Sequence, residues 1–152
     1  MRFYFYLYIV AVLLSGCTNN SAFARFDMSA ERERSEENIQ SVKLTDKEVS
    51  LGIATAVHLN KAYPELYNNA EYFYIYLNLD ANPEETLFEL NGNQALLVEE
   101  LNTTNEFTNL TRFDANWKHY YLVGFQKQQG KVKLVITNAA AKATFIFKNE
   151  EN

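Results

Sequence analysis

The chain has 152 residues, with 14 Lys+Arg against 19 Asp+Glu and a formal net charge of −5. That length holds one domain with a tail. The acidic balance argues against a nucleic-acid binder, which needs a concentrated basic patch, and a single cysteine rules out an internal disulfide framework.

The chain opens MRFYFYLYIVAVLLSGC. One cation, Arg2, precedes the apolar run Phe3 to Leu14, and the small residues Ser15 and Gly16 follow. A short charged region, an apolar core too short to span a bilayer and a small-residue cleavage site read as a secretory signal peptide over residues 1–16. The tetrapeptide Leu14-Ser15-Gly16-Cys17 resembles the lipobox of bacterial lipoproteins in position, spacing and residue type. The resemblance covers only the signal region. It implies diacylglycerol on the Cys17 sulfur, cleavage before Cys17 and an acyl chain on the new amine. A lone cysteine then has a use, because its thiol is consumed as a thioether. Two or more acyl chains give stable membrane attachment at about 0.8 kcal/mol per buried methylene. The lipoprotein pattern also implies outer-membrane sorting, since Thr18 stands where an inner-membrane retention signal has aspartate.

Residues 17–41 are polar and charge-dense and read as a lipidated, flexible tether. A sharper alternative is a segment that folds onto a partner through Phe23 and Phe26. The run ERERSEE at 31–37 predicts a turn or two of helix with Ser29 as its cap, yet it has no apolar stripe to dock.

From residue 42 to 149 the pattern has period two, the signature of half-buried strands. In EVSLGIATAVHL, 48–59, Val49, Leu51, Ile53, Val57 and Leu59 form the apolar face, opposite Ser50, Gly52, Ala54, Ala56 and His58. In YFYIYLNL, 72–79, Phe73, Ile75, Leu77 and Leu79 oppose Tyr72, Tyr74, Tyr76 and Asn78. TLFEL (86–90) and QALLVEEL (94–101) flank Asn91-Gly92, which predicts a tight hairpin. HYYLVGFQ (119–126), VKLVIT (132–137) and ATFIFK (143–148) complete about seven strands. The expected fold is mainly β, an antiparallel β-sandwich, Ig-like or similar. Phe107, Leu110, Phe113 and Trp117 recur at helical intervals within 102–118, predicting a short helix or packed crossover.

Chemistry is sparse. Ser50 and His58 share a strand face but stand about 27 Å apart along it, beyond hydrogen-bond reach. His58 and His119 are the only histidines, too few for a zinc site at close spacing. DANPEE (80–85) begins like a calcium loop, but Glu85 and Asn91 stand where glycine and a bidentate glutamate belong. The expectations are therefore a non-enzyme with no metal and no cofactor beyond the Cys17 lipid. The row Tyr72, Tyr74, Tyr76, with Tyr63, Tyr67, Tyr120 and Tyr121 nearby, is either a loop-covered face or an aromatic patch for a glycan or protein.

Two functions follow as expectations. The first is an envelope lipoprotein, outer-membrane anchored, that docks a protein partner. Its architecture resembles, on the lipobox and tethered domain alone, the lipoprotein subunit of type VI secretion machines. The second is a surface-exposed glycan-binding or adhesive module using the tyrosine face. Neither involves nucleic acid.

Overall fold

The structure, a computed structural model, describes residues 30–79, 82–110 and 118–148. The leader, Cys17, Phe23, Phe26 and Ser29 lie outside the described residues, as do Asp80, Phe113 and Trp117. The order is α1 (Ala30–Glu37), β1 (Ile39–Asp46), β2 (Val49–His58), α2 (Leu59–Ala62), β3 (Glu71–Leu79), β4 (Thr86–Leu90), β5 (Asn93–Gln94), β6 (Leu97–Leu101), β7 (His119–Phe125), β8 (Lys131–Asn138) and β9 (Ala141–Lys148).

The mainly β, antiparallel expectation holds, but the strands do not divide into two sheets. All nine strands among the described residues belong to one sheet in the order β5-β4-β8-β9-β1-β2-β3-β7-β6. It curls into a half-barrel around one large apolar cluster. Strand patterning cannot distinguish two facing sheets from one that bends over itself, since each hides one residue in two. The folded body also begins before residue 42. β1 spans Ile39–Asp46, and α1 lies against α2 and the 3-10 turn Thr108–Leu110.

Alternation works as expected on β3, β8 and β9. Phe73, Ile75 and Leu77, then Val132, Leu134 and Ile136, then Phe145 and Phe147, fill the concave side. It fails on β2. Leu44 pairs with Gly52 while Thr45 pairs with Ser50, so Leu51 is an extra residue in a bulge. Beyond the bulge Ala54 and Ala56 enter the core, whereas Ile53 is 45% exposed and Val49 62%. Small residues suit that position because Phe73, Phe145 and Phe147 already occupy the concave space. Val57 and Leu59 are buried on the opposite side.

Asn91-Gly92 forms the expected tight turn, with both residues at positive φ (52° and 84°) and Leu90 paired to Asn93. The hairpin then stops. QALLVEEL is not one strand, because only Asn93–Gln94 pairs with β4 and Leu97–Leu101 pairs with β7 at the other end of the sheet. Between them the Ala95 N–H donates to the Phe88 carbonyl (3.1 Å) and the Leu96 N–H to the Gly124 carbonyl (2.8 Å). Those two bonds tie β4 to β7, drawing the ends of the sheet together.

Candidate functional site

The tyrosines of β3 lie opposite the concave core, on the outer face of the sheet. α2 and residues 102–110 cover that face. Asn60 on α2 fixes the cover, accepting from the Tyr72 N–H at 2.7 Å and donating to the Ala70 carbonyl at 2.6 Å. Asn105 shapes the second part. Its side chain accepts from the Phe107 N–H (2.9 Å) while its own N–H donates to the Thr108 hydroxyl (2.9 Å). That turn drives Phe107 onto Tyr74, ring centres 5.0 Å apart.

Tyr74 is therefore 0% exposed, stacked on Tyr120 of β7 at 6.2 Å and 10°. Tyr72 and Tyr76 are half-buried. Tyr72 meets Tyr67 edge-on at 5.1 Å, and the Lys118 ammonium stands 5.1 Å above the Tyr76 ring. Gly124 leaves room for the Tyr72 ring, because a β-carbon there would stand 3.1 Å from Tyr72 Cε1. Burial pushes the Tyr67 phenol up to about 12, helped by Glu106, and raises that of Tyr76. The row is thus a packed cluster whose centre no ring-stacking ligand reaches without displacing Phe107. Of the other tyrosines named from sequence, Tyr63, Tyr67 and Tyr120 join this cluster, whereas Tyr121 faces the concave core.

At the end of the concave side His58 and Glu71 form a buried pair, Nε2 to Oε2 at 2.8 Å, with side chains 1% and 4% exposed. Glu71 Oε1 also accepts from the Gln128 N–H at 3.3 Å. The His58 ring stacks on Phe73 (4.8 Å, 13°) and tilts against Phe147 (5.5 Å). Its Nδ1 is buried without a hydrogen-bond partner among the described residues. Sequence reasoning missed this pair because its members come from different strands. The available signal was a carboxylate, Glu71, abutting the apolar run of β3. His119 forms a looser contact with Glu100, 3.4 Å, near the surface.

The third feature is β6, a terminal strand of the sheet. Leu96 is 78% exposed, Leu97 41% and Val98 52%, while Glu99 and Glu100 are also exposed. Such a strand presents unpaired backbone groups beside apolar side chains, a template for another strand. The DANPEE segment forms a 3-10 turn at Pro83–Glu85, capped by the Asn82 side chain accepting from the Glu84 N–H at 3.1 Å. Compared with family models, curated proteins and solved structures, the chain has no significant match.

Proposed function

We propose that this is a lipid-anchored envelope protein of the outer membrane, non-catalytic, whose half-barrel docks a protein partner. The observation that carries the reading is Leu14-Ser15-Gly16-Cys17, with Cys17 the sole cysteine. The exposed edge of β6 supports the docking part. Its partner is an extended segment with basic residues opposite Glu99 and Glu100 and apolar ones beside Leu96 and Val98. A second copy of this chain fits that edge poorly, because antiparallel self-pairing would set acidic residues against each other. The glycan-binding alternative draws less support, since Tyr74 lies beneath Phe107.

Two experiments test the reading. Cys17→Ser should abolish radiolabelled palmitate incorporation and detergent-phase partitioning, because a hydroxyl is a far weaker nucleophile than a thiolate. Equal labelling of both chains would refute the anchor. A photo-crosslinker at Val98 should capture one defined partner, and Leu96→Lys should abolish that product while the thermal transition persists. Capture undiminished by Leu96→Lys would refute docking at β6.

A further inference from the structure

Among the described residues, the outer face of the sheet is covered over β3, β7 and the Val57 end of β2. Across β8, β9 and the part of β1 beyond Ile39, no described residue covers it, and it is basic. Alternation that sends Val132, Leu134 and Ile136 inward turns Lys131 and Lys133 outward, and the inward Phe145 and Phe147 leave Lys142 and Lys148 outward on β9. Lys43 joins them from β1. All five are exposed, and none has an ion-pair partner among the described residues. Glu89 is the acidic residue that β4 adds to the same side, next to Val135. Lys131 stands directly opposite Lys148 in the strand register. Like charges so placed destabilise a sheet, although a chain of net charge −5 has carboxylates enough to interleave with them. Exposed apolar residues accompany the lysines, Ile146 (48%) among them on β9, with Leu87 (61%) on β4 and Ile53 (45%) on β2 to either side.

We infer that this lysine face rests on the anionic lipid surface to which Cys17 anchors the chain. Charge complementarity identifies the occupant. Lysine is a compact, hydrated point charge suited to phosphate at a headgroup layer, whereas a built protein interface favours the forked guanidinium of arginine, and no arginine stands on these strands. Isoleucine and leucine among and beside the cations are what an interfacial contact buries at the headgroup boundary. Reach is sufficient. The 13 peptide steps from Cys17 to Ala30, where α1 begins, span at most about 45 Å. Held flat, the face would leave β6 along the side of the body, open to a partner.

The inference rests on the lipid-anchor reading, and the test separates the two. The lipidated full chain is reconstituted into vesicles of phosphatidylcholine alone or with about one-third phosphatidylglycerol. Lysine acetylation is then mapped by mass spectrometry. Each lysine close to an anionic surface shifts the bound equilibrium roughly fivefold. Lys43, Lys131, Lys133, Lys142 and Lys148 should thus be protected in anionic vesicles. Lys61 on α2 and Lys127 beyond β7 should react equally in both. Salt near 1 M, which shortens the screening length to about 3 Å, should remove the protection. Lys133→Gln with Lys142→Gln should reduce the docking equilibrium constant roughly 25-fold. Equal reactivity of the five lysines in both vesicle types overturns the proposal. So does protection found in native membranes but absent from anionic vesicles, which would indicate an acidic protein instead. Failure of the wild type to partition into detergent would refute the anchor itself.

Discussion

The His58–Glu71 pair gives the sharpest energetic expectation. Glu71→Leu leaves His58 Nε2 without its 2.8 Å partner in a site 1% exposed, and it strips the Gln128 N–H of its acceptor. Breaking a buried pair from one side costs about 3–5 kcal/mol, a large part of a typical domain's 5–15 kcal/mol. His58→Phe should cost a similar amount, because it abandons the Glu71 carboxyl beside Phe73 and Phe147 with one donor left. The double variant removes both polar groups and fills their space with apolar ones of similar volume. Only the Gln128 N–H then lacks its partner, at about 1–3 kcal/mol, so the double should be more stable than either single. Urea unfolding, with a slope of about 2 kcal/mol per molar, should show midpoints about 2 M lower for each single and about 1 M lower for the double. A double variant that loses the sum of the two singles would refute the reasoning, for it would mean that packing alone holds this end of the core.

At Gly52 a β-carbon would run into the Asn78 carbonyl oxygen, so Gly52→Ala should cost at least about 1–3 kcal/mol of overpacking, read as a lowered thermal midpoint. Phe107→Ala should cost about 3–5 kcal/mol and open Tyr74 to solvent, checked by urea titration and by faster tyrosine nitration at that position. Ala139→Gly, relieving a φ of 49° in the β8–β9 turn, should leave stability unchanged or raise it by about 1 kcal/mol, since αL strain exceeds the entropy cost of glycine. Stability should also fall as pH rises through about 10 to 12. The Tyr67 and Tyr121 phenols sit near 12, Tyr121 raised by burial and then by Glu100. An unfolded chain loses those protons near 10, so it binds fewer of them in that window and gains relative to the fold. Below about pH 10 this contribution is fully present. Thermal melts across the window should show a shallower decline for Tyr67→Phe.

Much of the fold was legible from local pattern. Strict alternation in YFYIYLNL assigned each β3 residue to its face, since every other side chain must share one environment. Asn91-Gly92 announced its turn because few residues tolerate consecutive positive φ. β1 escaped notice because IQSVKLTD has only three large apolar residues, Ile39, Val42 and Leu44. The face of β2 was misread because one extra residue, Leu51, reverses everything on one side of it. QALLVEEL looked like a single strand because its apolar pattern runs unbroken through the crossover at Ala95–Leu96.

Local pattern was enough for most strands, the faces of β3, the Asn91-Gly92 turn and the Leu14–Cys17 motif, all set by neighbours within a few positions. Long-range packing settles that the nine described strands curl into one sheet, that Phe107 closes over Tyr74, and that His58 meets Glu71 across β2 and β3. It also gathered lysines from three strands onto one open face while leaving Leu96–Val98 at an edge. Those outcomes depend on which strand neighbours which. Strand order follows from the balance of burial around the whole core, which no local stretch of residues carries.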